Sequence, residues 1–165
     1  MKKLPIGIST FSEIINENAY YVDKSRYVQQ LYDSGKYYFL SRPRRFGKSL
    51  FVDTLKCAFE GQKDLFKGLY LEKNWDWKDT YPVISISFAG GRFSDIEHLN
   101  AFFEEILAAN AHQAGLNITG LTINGRFKDL ITAISEKTGK SVVILVDEYD
   151  KPILDHIENP AKAEE

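Results

Sequence analysis

Two short groups of residues have the types and spacing that nucleotide chemistry requires. Gly47, Lys48 and Ser49 close the stretch YYFLSRPRRFGKS, and Asp147 and Glu148 follow the apolar run VVILV. A lysine and a hydroxyl beside a glycine suit the phosphates of a nucleotide, whereas adjacent carboxylates suit Mg²⁺ and the activation of water. Either group alone is a weak signal, because short combinations of common residues arise by chance. Their presence in one chain predicts nucleotide binding.

The first group predicts a phosphate-binding loop at the start of a helix. Gly47 lets the backbone approach the phosphates, Lys48 would reach the β- and γ-phosphates as a catalytic residue, and Ser49 would ligate Mg²⁺. Backbone N–H groups of the loop would surround the phosphates, where the helix dipole favours negative charge. The residues predicted to contact the nucleotide are Arg44, Arg45, Phe46, Gly47, Lys48, Ser49 and Leu50. Arg44 and Arg45 add charge near the phosphates in one interpretation and are solvated turn residues in the other.

Arg42 occupies the position at which such a loop normally has its first glycine. Arginine does not easily adopt a positive φ, and Pro43 restricts Arg42 toward extended geometry. We therefore expect the loop to leave the preceding strand along an unusual path, while its second half stays normal.

The second group predicts the end of a strand that serves a metal ion. Asp147 would bind Mg²⁺, directly or through water, at the carboxyl end of the strand, where ligands collect in α/β sheets. Glu148, the next residue, would orient and deprotonate the attacking water as a catalytic base. Two acids after an apolar strand can also mark a strand that simply leaves the core. The lysine-containing loop elsewhere in the chain favours the functional interpretation.

Each group needs elements that position it. The short apolar stretch 37–41 predicts a buried strand before the loop, and apolar residues at helical spacing predict a helix from Lys48 to Gly61. The run 142–147 is apolar on both faces, which predicts a central parallel strand covered by helices.

Other patterns predict the rest of the fold. They are a strand or extended arm within 1–22, a helix capped by Asp23 and ended by Gly35, a strand over 82–88, a helix begun by a Ser94–Glu97 capping box, and a helix that follows an Asn124–Gly125 turn and stops at Gly139. Strands that alternate with helices indicate a three-layer α/β domain, in which helices flank a parallel sheet.

Composition limits the class of protein. A chain of 165 residues, 44% of them apolar, fits one domain with a substantial core. With 21 basic and 23 acidic side chains, no overall field favours nucleic acid or an anionic membrane. The single Cys57 excludes an internal disulfide and fits a reducing, cytoplasmic location, and we expect its side chain to be buried. No apolar run in the sequence is long enough to span a membrane.

Four stretches together resemble a known family: YVDKS, YYFLSRPRRFGKSLFVDTL, LFKGLYL and VVILVDEYDKPI. They are similar to the AAA-ATPase-like domain of bacterial and archaeal proteins, which often carry a PD-(D/E)XK nuclease-like domain further along. The RPRRFGKS loop is typical of that family, so the resemblance implies that Arg42 is shared with it. Gly47, Lys48 and Ser49 match the family's phosphate loop, whereas Asp147 and Glu148 match its magnesium and water-activating pair. Asp23 and Lys24 match a further motif to which the residues themselves assign no role.

The resemblance implies a three-layer P-loop NTPase fold that continues beyond the present sequence. On this interpretation, 1–165 is the N-terminal part of one domain, with an arm and helix over 1–35 and a nucleotide-binding core over 36–165. The central strand of the sheet, an arginine finger and the nuclease-like domain would follow residue 165. We therefore expect 37–41 and 142–147 not to pair directly, whereas the kinase branch of P-loop proteins would place them side by side.

The implied function is an ATP-binding module that hydrolyses ATP with Mg²⁺ and thereby regulates or drives a nuclease-like effector domain. Two alternatives remain open: a regulatory or scaffold module with little turnover, and a P-loop kinase of a small molecule. The adjacent carboxylates favour activation of water over transfer to an acceptor. ATP is the expected ligand, nucleic acid would be reached through the effector domain, a second copy of the chain is a candidate partner, and no membrane partner is expected.

Overall fold

The computed structural model describes residues 2–43 and 45–154. Internal contacts divide the chain into two compact units, Met1–Tyr81 and Pro82–Glu165, and each unit has its own hydrophobic core. The sequence predicted one domain, divided into an arm with a helix and a nucleotide-binding core. The boundary between the compact units falls between Tyr81 and Pro82, immediately before the first strand, and the predicted domain division stays a prediction.

The first unit is helical. Its elements are α1 (Phe11–Asn16), α2 (Arg26–Ser34), α3 (Lys48–Phe59), a 3-10 turn (Lys63–Phe66) and α4 (Leu71–Asn74). All five elements contribute buried side chains to one cluster: Phe11, Val28, Cys57, Ala58, Phe66 and Leu71. Because a fully buried large apolar side chain contributes about 1.5–3 kcal/mol, this cluster holds the short elements together.

The helices predicted around the phosphate loop are confirmed. α3 begins at Lys48, and its last turn is followed by Gly61, which has a positive φ of 77°. α2 is followed by Gly35, as predicted, but its N-cap residue is Ser25. Asp23 lies two residues earlier and accepts a hydrogen bond from the Ser25 backbone N–H at 2.8 Å.

The prediction of a strand or extended arm over 1–22 is wrong for part of that range, because α1 forms there. Phe11 and Ile14, three residues apart on one face of α1, are both fully buried. The Phe11 backbone N–H, which has no acceptor within its own helix, donates to the Asp53 carboxylate of α3 at 2.6 Å. Packing and this single bond therefore stabilise a helix of only six residues.

The stretch 37–41 is not a buried strand. The structure assigns no strand to these described residues, and Tyr37, Phe39 and Leu40 are 95%, 71% and 38% exposed. A strand forms only where a neighbour completes its backbone hydrogen bonds, and an apolar sequence does not supply that neighbour. The sequence prediction is therefore corrected to an exposed connection between α2 and the loop.

The second unit contains the sheet. Its elements are β1 (Val83–Ser87), α5 (Ile96–Gln113), α6 (Ile123–Thr138), β2 (Val143–Asp147) and α7 (Lys151–Leu154). β1 and β2 pair in parallel, with Val83 opposite Val143 and Ser87 opposite Asp147. Parallel strands require a long connection, and α5 and α6 supply it. Apolar side chains from β1, α5, α6 and the loop after β1 form the core: Ile84, Ile86, Phe88, Phe93, Leu107, Ala111, Leu130 and Ile134. These elements confirm the prediction of an α/β protein with a parallel sheet.

Two helix starts in this unit differ from the prediction. The N-cap of α5 is Asp95 and not Ser94, because the Asp95 carboxylate accepts from the His98 backbone N–H at 2.9 Å. This bond, together with the bond from the His98 side chain, lowers the pKa of Asp95 to about 2. Since folding lowers this pKa, the stabilisation is present above the ordinary aspartate pKa and is lost as the pH falls toward 2.

The start of α6 lies before the predicted turn. The Thr122 hydroxyl accepts from the Gly125 backbone N–H at 3.1 Å, and Asn124 and Gly125 are already helical. A side-chain cap of this kind favours helix over turn for the residues that follow it. The end of the helix at Gly139 is as predicted, with φ 66°.

β2 is less enclosed than predicted. Ile144 and Val146 are 41% and 45% exposed, and Val143, Leu145 and Asp147 are half-buried. The expectation of a central strand covered by helices on both faces is therefore wrong for the described residues. β1 differs, because its Ile84 and Ile86 are buried in the core of the unit.

Cys57 is buried as predicted, with 4% of its surface exposed. Desolvation by burial raises the pKa of its thiol to about 12. The thiolate is the nucleophile, so the native thiol should be almost inert at pH 8. We expect iodoacetamide to leave Cys57 unmodified in the folded protein and to alkylate it fully in 6 M guanidinium chloride, as measured by intact mass. Rapid alkylation of the folded protein would contradict the burial.

Candidate functional site

The predicted phosphate loop leads directly into α3. Gly47 is the N-cap residue and has left-handed geometry, with φ 73° and ψ 30°. The Phe51 backbone N–H donates to the Gly47 carbonyl at 3.1 Å, which closes the first turn. Lys48, Ser49 and Leu50 occupy that turn and are half-buried. The predicted helix start at the Gly-Lys-Ser sequence is confirmed.

The residues before Gly47 form an exposed turn. Arg45 has a positive φ of 66°, and Phe46 is 62% exposed. Arg44, also predicted to contact the nucleotide, lies outside the described residues. The left-handed backbone geometry of this loop is therefore found at Arg45 and Gly47, after the Arg42–Pro43 pair.

The second predicted group lies at the carboxyl end of β2. The carbonyl of Asp147 accepts from the Phe88 backbone N–H at 3.1 Å, which fixes the end of the strand. One carboxylate oxygen of Asp147 accepts from the Glu148 backbone N–H, also at 3.1 Å. The carbonyl of Glu148 accepts from the Lys151 backbone N–H at 3.0 Å, at the start of α7. The two acids thus lie in a sharp, hydrogen-bonded exit from the sheet, with Glu148 exposed.

Backbone strain coincides with both predicted groups. Within the described residues, positive φ outside glycine occurs at Asn18, Arg45 and Glu148. Asparagine tolerates this geometry, whereas a residue such as arginine or glutamate is disfavoured there. Strained backbone of this kind is concentrated at functional sites, where the strain is part of the mechanism. Positive φ therefore accompanies both predicted groups, and their functional role stays a prediction.

The available donors are compatible with Mg²⁺. This ion takes oxygen ligands and usually binds through one or two protein groups plus phosphates and water. The Ser49 hydroxyl lies in the first turn of α3, and the Asp147 carboxylate lies at a strand end whose backbone is fixed on both sides. Each of these two groups is of a type that Mg²⁺ accepts, and their assignment to one ion stays a prediction.

The structure gives a role to the motif that the sequence could not interpret. The two carboxylate oxygens of Asp23 accept from the backbone N–H groups of Ser25, at 2.8 Å, and Tyr70, at 2.7 Å. Partial burial opposes ionisation of Asp23, but a hydrogen bond from the Ser25 side chain and the bonds from the Tyr70 and Ser25 backbone N–H groups outweigh it and lower its pKa. Ser25 in turn accepts from the Leu71 backbone N–H at 3.3 Å. Asp23 and Ser25 therefore tie the start of α2 to α4, and the neighbouring Lys24 lines a cleft described below.

A serine, a histidine and an aspartate meet at the start of α5, but they form a helix cap. Ser94 and Asp95 both contact Nδ1 of His98, at 2.9 Å and 2.7 Å. A catalytic triad needs the two ring nitrogens to serve different partners. The group is also exposed, so it orders the helix start and has no arrangement for nucleophilic catalysis.

The observed class is an α/β protein with a parallel strand pair, a strand that ends in adjacent carboxylates, and a helix that begins at a Gly-Lys-Ser loop. The model of the AAA-ATPase-like family, described as a predicted AAA-ATPase, matches residues 5–165. This chain belongs to that family.

One relative covers almost the whole chain. It is a protein of Azotobacter chroococcum mcd 1 described as "Uncharacterized protein in vnfD 5'region", and it is 48% identical over 165 residues. The alignment covers 99% of this chain and 32% of the relative, so the chain spans about a third of the relative's length. No solved structure matches the chain.

Proposed function

We propose that this chain is an ATP-binding module that hydrolyses ATP with Mg²⁺, built on a three-layer P-loop fold. The observation that carries the proposal is the Gly47-Lys48-Ser49 sequence at the start of α3, in a member of the AAA-ATPase-like family. The parallel strand pair that ends in Asp147 is compatible with that fold. Arg44, Arg45 and Phe46, which precede the glycine, are assigned to nucleotide contact by the same reasoning.

The N-terminus of α3 has the electrostatics that a phosphate requires. In a helix the first N–H groups lack intrahelical acceptors, and here Phe51 is the first whose N–H reaches Gly47. Among the described side chains, none caps this helix start. The N–H groups of Lys48, Ser49 and Leu50 can therefore donate to phosphate oxygens, with the helix dipole adding attraction. The Lys48 ammonium would neutralise charge that develops on the phosphates during transfer.

The acidic pair has the chemistry for the hydrolytic step. By the family resemblance, Ser49 and Asp147 are each assigned to Mg²⁺, which would neutralise phosphate charge when bound. Glu148 would accept a proton from the attacking water, and its exposed position at the strand exit leaves that carboxylate accessible to solvent. The strained backbone at Glu148 sets the direction in which its side chain leaves the main chain. A general base must be held in a defined position relative to the attacking water, and a fixed direction favours this.

We further propose that hydrolysis regulates an effector elsewhere in the same protein. The relative is about three times as long as the matched region, which leaves room for further domains. The family resemblance indicates a nuclease-like effector, and nucleic acid would be its substrate. Over residues 2–43 and 45–154, no helix is both long and apolar enough to cross a bilayer.

Binding and turnover measurements together test this proposal. Calorimetric titration with ATP, ADP and GTP in the presence of Mg²⁺ should show binding, and phosphate release should occur with water as the only acceptor. Binding without release would favour a regulatory module, and release that requires a small-molecule acceptor would favour a kinase. If none of the three nucleotides binds at millimolar concentration, the proposed function is wrong.

A further inference from the structure

A cleft of about 230 Å³ lies within the first unit, beside the phosphate loop. It is bounded by α2, by the connection 37–42 and by the first turn of α3. Arg42 and Phe51 both line it. Arg42 is the first residue of the RPRRFGKS loop, and the N–H of Phe51, two residues after Ser49, donates to Gly47, so the cleft adjoins both ends of the loop.

The walls of the cleft are largely apolar and include three aromatic rings, those of Tyr27, Tyr38 and Phe51. Tyr38 is held in place, because its hydroxyl donates to the Leu31 carbonyl at 2.6 Å. A Cβ atom at Gly35 would lie 3.1 Å from the same hydroxyl, so the absence of a side chain there admits the ring. Tyr38 is half-exposed, which leaves ring surface for a ligand.

The polar groups of the cleft suit an anionic ligand that carries hydrogen-bonding edges. Among the described residues that line it, Lys24 and Arg42 are charged, and both are cations. Gln30 and Ser34 add an amide and a hydroxyl. An apolar cleft with a few convergent polar groups is the usual form of a small-molecule site. Its volume is below the range of drug-sized sites, which fits one flat ring system better than an extended peptide.

We propose that this cleft binds the base and ribose of the nucleotide whose phosphates meet the Gly47-Lys48-Ser49 loop. The inference rests on the proposed function, because it assigns the rest of the same ligand. Tyr38 is the stacking residue, since its ring is oriented before any ligand arrives. Lys24 and Arg42 attract the phosphate end of the nucleotide toward the loop, which gives the YVDKS motif a part in binding.

The test compares ATP–Mg²⁺ with inorganic tripolyphosphate–Mg²⁺, which has the phosphates but no base or ribose. We expect calorimetry to show that the parent protein binds ATP at least tenfold more tightly than tripolyphosphate. Tyr38→Ala should weaken ATP binding by about five- to a hundredfold, as expected for loss of base–aromatic stacking. The same variant should leave tripolyphosphate binding unchanged. Tyr38→Phe, which keeps the ring, should retain most of the advantage of ATP.

Tyr37→Ala is the matched control, because Tyr37 is adjacent, 95% exposed and outside the lining of the cleft. It should change neither affinity. Equal binding of ATP and tripolyphosphate by the parent would overturn the inference and leave the proposed function intact, and this comparison requires no variant. Equal weakening of both ligands by Tyr38→Ala would also overturn it, since Tyr38 would then act through the loop. If neither ligand binds, the proposed function fails and the inference fails with it.

Discussion

Lys48→Ala should weaken ATP–Mg²⁺ binding by about ten- to a hundredfold and leave the folded state intact. A hydrogen bond to a charged group contributes about 1.5–3 kcal/mol, which corresponds to that range of affinity. Lys48 is the first residue of α3 and is half-buried, and it is not part of the core cluster of its unit. A cation at a helix N-terminus opposes the helix dipole, so the charge of Lys48 does not stabilise α3. Isothermal titration with ATP–Mg²⁺ measures the affinity, and thermal unfolding monitored by circular dichroism measures the fold.

Lys56→Ala is the matched control for this prediction. Lys56 lies in the last turn of the same helix, where a cation interacts favourably with the helix dipole by a few tenths of a kcal/mol. The control should lower stability slightly and leave ATP affinity unchanged. If Lys48→Ala binds ATP–Mg²⁺ as tightly as the parent, the phosphate-loop assignment is wrong, whatever the family membership of the chain.

The elements that the sequence predicted well are those whose residues define them locally. α3 starts at a glycine and carries apolar residues at helical spacing, so its limits follow from short-range patterns. β1 alternates buried isoleucines with serines, and α6 stops at Gly139 because a left-handed residue ends a helix. The two predicted groups lie at the start of α3 and at the end of β2, and both of these positions could be read from the sequence.

The elements that the sequence did not predict depend on distant partners. The connection 37–41 has the composition of a strand, but the structure assigns no strand to these described residues and their aromatic side chains are exposed. α1 and α4 are six and four residues long, and they form because Phe11 and Leu71 are buried against the rest of the unit. Propensity is too weak to determine elements of this length.

Two features of the candidate site were also invisible in the sequence. The positive φ values at Arg45 and Glu148 contradict the intrinsic preferences of these residues, so no local pattern predicts them. The cleft beside the loop depends on where α2 lies against the connection that follows it, which is a tertiary property. Its only sequence signal was the YVDKS motif, whose acid is structural and whose lysine lines the cleft.

Glu148→Gln should keep ATP–Mg²⁺ binding and slow hydrolysis by about a hundred- to ten-thousandfold, the usual contribution of a general base. The amide has almost the same shape as the carboxylate but cannot accept a proton from water. Because both side chains begin at the same strained backbone position, the substitution should not alter the exit from β2. Binding is measured by calorimetry, and turnover is measured by phosphate release under single-turnover conditions in a preparation that hydrolyses ATP.

Glu105→Gln makes the same chemical change on the exposed surface of α5 and should alter neither ATP binding nor turnover.

Glu148→Gly separates the role of the side chain from that of the backbone. Glycine adopts a positive φ without steric cost, so this variant should unfold at the same temperature as the parent or higher, yet lose hydrolysis. Unchanged or higher stability together with lost hydrolysis would mean that the glutamate is needed at this strained position for catalysis and not for folding. Unchanged turnover in Glu148→Gln would remove Glu148 from the mechanism and make the strain a structural feature of the strand exit.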